Sequence, residues 1–137
     1  MTNAMIRVAT ALLTALLLAL PASAEVTLVM VEEEGCIWCA RWNRDISVEY
    51  PKTAEGRAAP LRRVDIRDIP EDLDLASRPQ FTPTFILVRD GVELSRLEGY
   101  AGEDFFWGLL GRMLTDAGID YMGIAPTDAG EAAAHDG

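Results

Sequence analysis

Val26-Thr27-Leu28-Val29-Met30-Val31-Glu32-Glu33-Glu34-Gly35-Cys36-Ile37-Trp38-Cys39 is the stretch that decides how this chain folds. Val26 to Val31 is an unbroken β-branched and apolar run. Such a run reads as a strand buried on both faces, parallel and central in its sheet. Glu32-Glu33-Glu34-Gly35 is a polar turn. From Cys36 the pattern turns helical, with Trp38, Trp42, Ile46 and Tyr50 recurring at four-residue spacing until Pro51 stops it. The only two cysteines of the chain therefore sit two residues apart where a strand gives way to a helix. A pair so placed can shuttle between dithiol and disulfide.

The environment of that pair follows from what precedes it. Arg7 is followed by a near-apolar run from Val8 to Leu20. Pro21 breaks the run, and Ala22-Ser23-Ala24 gives a small-x-small cleavage signature. This predicts a secretory signal peptide over 1–24, cleaved near Ala24. The run is shorter than the about 20 residues that span a bilayer, so no membrane insertion is expected after cleavage. In an oxidising compartment two cysteines usually make a structural bridge. A loop closed across two residues stabilises little, however, so the pair reads better as a redox centre than as a staple. The net charge of −10 argues against nucleic acid and anionic membrane surfaces as partners.

Outward from the motif, Lys52 to Pro60 reads as a polar loop and Leu61 to Ile66 as a second strand. Pro70 to Arg78 could hold a short helix. Thr84 to Val88 is a third strand, and Asp90-Gly91 is a hairpin turn leading into an alternating strand, Val92 to Leu97. Glu103 to Ala117 is a second helix with an apolar face, closed by Gly118. Phe105, Phe106 and Trp107 are expected in the core, with one ring spilling to the surface. Residues 119–137 lack periodicity and read as a flexible acidic tail. The order predicts one α/β domain over 25–118, a mixed four-stranded sheet flanked by helices.

Cys36 stands at a helix N-terminus, where free N–H groups and the dipole favour a thiolate. It is the expected nucleophile, and Cys39, one turn further in, the expected resolving thiol. Glu32 to Glu34 oppose this by raising the thiol pKa. Trp38 is either a partner contact or part of the core face with Trp42. Arg41 and Arg44 either support the thiolate or lie on the solvated face of the helix. At Thr82-Pro83-Thr84 a proline opens a strand, through a cis bond or simply as a trans proline at the strand start.

Together, the Cys-x-x-Cys at a strand-to-helix junction and the Thr-Pro-Thr before a hairpin and last helix resemble the thioredoxin superfamily over Val26 to Ala117. The resemblance implies a compact thioredoxin-like fold and thiol–disulfide oxidoreductase activity. It also implies a cis Pro83 beside the cysteines, with Thr82 pairing its backbone with an extended substrate. The chain departs from the family at three points. Gly35 stands where a Trp is common, and Met30, six positions before Cys36, replaces a buried Asp. The extra N-terminal strand and helix of full thioredoxins are also lacking. Glu34-Gly35-Cys36 with Cys39-Ala40-Arg41-Trp42, Tyr50-Pro51-Lys52-Thr53 and the Gly102 to Leu110 helix are similar to the SoxS-type periplasmic thioredoxins of sulfur-oxidising bacteria. That narrower resemblance implies a periplasmic location and a sulfur-carrier protein among the exported thiol and disulfide partners. It further implies a membrane thiol transporter as electron donor.

Other uses of the motif are weaker. A c-type haem needs a His after the second Cys, where Ala40 stands, and a closed zinc site needs four ligands. The only His is His135, in the tail. No cofactor and no metal are expected. Three functional classes remain open: a reductase of exported proteins, a thiol oxidase or isomerase forming disulfides, and a non-catalytic thioredoxin-fold interaction module.

Overall fold

The computed structural model describes residues 23–123. The expected signal peptide, apart from residues 23–24, and the expected tail, apart from 119–123, lie outside the described residues. So does His135.

Strands β1 (Val26–Glu32), β2 (Leu61–Asp65), β3 (Thr84–Arg89) and β4 (Val92–Glu98) form one mixed sheet in the order β2-β1-β3-β4. β1 pairs parallel with β2 and antiparallel with β3, which turns back antiparallel into β4. The hairpin turn uses Asp90 and Gly91, both at positive φ. Helices α1 (Ile37–Asp45), α2 (Ala54–Ala58) and α3 (Glu103–Asp116) complete the described chain, with a 3-10 turn at Tyr50–Lys52.

The continuous apolar run of β1 has a direct explanation. Leu28 and Met30 face one buried cluster, with Cys39, Trp42, Tyr50, Phe85, Phe106 and Leu110. Val29 and Val31 face a second, with Val64, Leu73, Ile86 and Val88. A strand covered on both sides has no polar face to alternate with. The first cluster is built on aromatic contacts: Trp42, Phe85 and Phe106 lie within 5.0–5.6 Å of one another, centroid to centroid. Within the α3 aromatic triplet, Phe106 is buried, Trp107 stacks on Tyr50, and Phe105 is 66% exposed.

The structure corrects four expectations. The first helix ends at Asp45 rather than near Tyr50: its C-cap, Ile46, leaves helical backbone at φ −121° while its N–H still donates to Trp42 O. Pro51 is used inside a 3-10 turn instead. The loop 52–60 contains α2, capped by Thr53, whose Oγ1 accepts from the Gly56 N–H at 3.0 Å. No helix forms over 70–78. Instead, Asp74 makes a parallel bridge to Val92, donating to Gly91 O and accepting from the Glu93 N–H. Leu73 and Leu75, two apart, both reach the second cluster, as an extended segment allows and a helix does not.

The fourth correction moves the end of the packed domain beyond 118. Gly118 donates to Thr115 O and Ile119 to Leu114 O, the paired bonds of a Schellman cap. Ile119 and Tyr121 then pack on the first cluster.

Candidate active site

Glu33-Glu34-Gly35-Cys36 is a tight turn, closed by the Cys36 N–H donating to Glu33 O at 3.3 Å. Gly35 occupies its third position at φ +80°, a conformation that a side-chain-bearing residue resists. This explains the Gly where a Trp is common. The turn delivers Cys36 to the N-cap of α1, and its Sγ accepts from the Cys39 N–H at 3.1 Å.

Cys36 and Cys39 are joined by a disulfide, with their Cα atoms 5.2 Å apart. Cys36 is half-buried, whereas Cys39 is 3% exposed and belongs to the first cluster. No acidic residue occupies the first turn of α1, so its dipole faces Cys36 unopposed from within the helix. Ile37 and Trp38 project outward, 75% and 49% exposed. Trp38 is thus a surface residue, while Trp42 alone takes the core position. The Arg41 guanidinium lies 5.7 Å from the Trp38 ring and also faces Asp45, and Arg44 pairs with Asp45 at 3.0 Å. Both arginines are spent on the outer face of the helix.

The second motif arrives through the sheet. The register Val31↔Thr84 sets Pro83 opposite the end of β1, at the level of the turn that carries Cys36. The Thr82–Pro83 peptide is cis, Pro83 is buried, and its carbonyl accepts from the Gly99 N–H at 2.7 Å. Thr84, fully buried, satisfies its hydroxyl by donating to Phe81 O at 2.7 Å. Thr82 Oγ1 lies 2.8 Å from Glu33 Oε1, tying this loop to the β1–α1 turn across 49 residues of sequence.

Beneath Cys39 the surroundings are apolar. Met30 is fully buried in the same cluster, so no carboxylate lies there. Arg63 takes up Glu32 at 2.8 Å and also bonds Asn43 and Ser47, stapling β2 to β1 and α1.

Beside Trp38 opens a groove of about 350 Å³, walled by Gly99, Tyr100, Ala101, Phe105 and Leu109. The Tyr100 hydroxyl, pushed up to about 12 by burial and by its bond to Asp45, stays protonated at neutral pH. Sequence reasoning missed three parts of the site: this groove, the Arg63 staple and the Glu33–Thr82 bond. All three join residues far apart in the chain.

No family model and no curated protein matches the chain. A solved structure does: the periplasmic thioredoxin SoxS from Paracoccus pantotrophus, in its reduced form. It is 52% identical, with a TM-score of 0.66, over 68% of this chain and 99% of that one.

Proposed function

The chain belongs to the SoxS-type periplasmic thioredoxins and is a thiol–disulfide oxidoreductase, and on that premise we propose that it is an exported reductant of protein disulfides. The observation that carries this reading is the asymmetry of the pair: Cys36 accessible at a helix N-cap, Cys39 buried one turn behind it.

In the proposed cycle the reduced protein attacks with the Cys36 thiolate. A bond forms to one sulfur of the partner disulfide, whose S–S bond breaks, and the released partner thiolate takes a proton from water. Cys39, as a thiolate, then attacks Cys36 Sγ, and the second partner sulfur leaves as a thiol. Two electrons have passed to the partner, and the Cys36–Cys39 disulfide remains. A thiol donor, a membrane thiol transporter by family resemblance, returns it to the dithiol. Thr82 offers its backbone to an extended partner segment beside Pro83, and Trp38 with the neighbouring groove contacts its side chains.

Three features support reduction over oxidation. The dipeptide between the cysteines is Ile-Trp rather than the Pro-His of strong oxidants. The scaffold is compact. The negative charge of Glu33, in the turn that carries Cys36, disfavours the thiolate. The SoxS match and the leader-like sequence at 1–24 support a periplasmic location, and a sulfur-carrier protein is among the expected partners.

The test is Cys39→Ser in the native host. Without the resolving thiol, Cys36 accumulates mixed disulfides with its exported partners, which mass spectrometry names. An insulin reduction assay and a potential near about −270 mV rather than about −120 mV complete it. An empty trap, or no turnover by fully reduced protein, overturns the proposal.

A further inference from the structure

Glu33 stands out once each charge around the disulfide is paired off. Glu32 is held by Arg63. Asp65 is held by Arg67, through the guanidinium and the backbone N–H. Arg67 feels both Glu33 and Glu34, but its guanidinium is committed to Asp65. Arg78, on the segment before Thr82, donates to Ile66 O, and Arg41 lies against Trp38 and Asp45. Glu34 is exposed, as Glu33 is, and makes no hydrogen bond among the described residues. Glu33 differs from all of these in its bond to Thr82. Its carboxylate is fixed by the Thr82 hydroxyl at 2.8 Å, while its own carbonyl closes the turn onto the Cys36 N–H.

We propose that Glu33 is a positioning residue for the redox couple: a carboxylate locked by Thr82 on the turn that carries Cys36, which makes the Cys36–Cys39 pair a stronger electron donor. The inference rests on the reading of the pair as an exchange centre. Its physics is a difference between two states. The disulfide carries no charge, whereas the reduced pair carries the Cys36 thiolate. A fixed negative charge nearby therefore penalises only the reduced form. Stabilising the reduced form makes a couple oxidising, and penalising it does the reverse. Glu33 and its bond to Thr82 lie at the surface, so salt screens the charge over about 10 Å. The bond fixes the direction of the carboxylate relative to the turn that carries Cys36. It also ties the charge to the loop that carries Pro83, so the element that meets the partner holds the group that tunes the sulfur.

The test is the equilibrium of each purified variant with glutathione, in which the protein disulfide and two glutathione thiols exchange with the protein dithiol and one glutathione disulfide. The pH dependence of Cys36 alkylation in the reduced protein is measured alongside. Glu33→Gln keeps the shape and the hydrogen-bond acceptor but removes the charge. Its equilibrium is expected to move about threefold to tenfold toward the dithiol, the range for one unit charge within a few ångströms of a surface sulfur. Its alkylation midpoint moves to lower pH. Thr82→Val keeps the charge and releases it, giving a smaller shift in the same direction. Glu34→Gln, in the same acidic run but unheld, shifts less than twofold. A merely structural Glu33 would alter unfolding without moving either redox readout. Unchanged equilibrium and midpoint in Glu33→Gln, with wild type exchanging normally, overturn this inference alone, as does a Glu34→Gln shift of equal size. A wild-type protein that does not exchange with glutathione overturns the exchange-centre reading and this inference together.

Discussion

Replacing Gly35 by alanine isolates what the turn before Cys36 costs. Gly35 sits at φ +80°, yet a methyl group built there meets nothing within 4 Å. Sterics with the rest of the fold therefore contribute nothing, and the whole penalty is the backbone conformation. For an L-residue in the left-handed region this is about 1–2 kcal/mol. With a urea slope of about 1 kcal/mol per M for a domain of this size, the unfolding midpoint drops by about 1–2 M. A D-alanine has the opposite preference. It fits the same φ and restricts the unfolded chain, so it should stabilise by about 0.4–1 kcal/mol. Cys36 makes the comparison practical, since a short synthetic thioester ending at residue 35 can be ligated onto a chain that begins with Cys36. Urea unfolding followed by tryptophan fluorescence then compares Gly35, L-alanine and D-alanine in the oxidised protein. Equal losses for both alanines would refute the reasoning, because they would mean that bulk rather than handedness sets the cost.

Phe106→Ala empties the centre of the aromatic cluster, where Phe106 is 1% exposed and 5.0 Å from Phe85. A loss of about 3–5 kcal/mol is expected in chemical unfolding, and under 1 kcal/mol would contradict the packing described. Trp38→Ala, at a half-exposed surface site, should leave stability within about 0.5 kcal/mol while slowing reduction of protein disulfides more than of glutathione disulfide. Equal slowing for both would remove Trp38 from partner contact. Glu93 is held below the ordinary glutamate range, chiefly by its hydrogen bonds from Arg96. Its stabilising contribution is full above the ordinary, unfolded-state range and is lost as pH falls through the lowered native value. Glu93→Gln should accordingly flatten the acid limb of a stability-against-pH curve, and an unchanged limb would exclude this pair as a source of it.

The elements legible in the sequence were those whose signal is local. β1 and β3 are continuous apolar runs because both faces of the sheet are covered, and Asp90-Gly91 marks its hairpin unaided. α3 shows its apolar stripe within its own residues. The failures arose where distant residues decide the local structure. Segment 70–78 became extended because Gly91 and Glu93 offer Asp74 backbone partners, and because Leu73 and Leu75 share one face of the chain. Ile119 was read as tail because its burial depends on the cluster beneath α3. In the site, the two cysteines and Thr82-Pro83 were readable as motifs. The Glu33–Thr82 bond was not, since neither residue type declares a partner 49 positions away.

The start of β1 is clamped. Glu25 donates to Asp90 Oδ1 and accepts from the Asp90 N–H, which pins it to the hairpin turn at the end of the sheet remote from the cysteines. β1 then runs seven residues, about 20 Å, before the turn that carries Cys36. The clamp thus sits at the pole opposite the sulfur atoms. A tether joined directly to Glu25 would hold the molecule by its back and leave the reactive end free to meet other proteins.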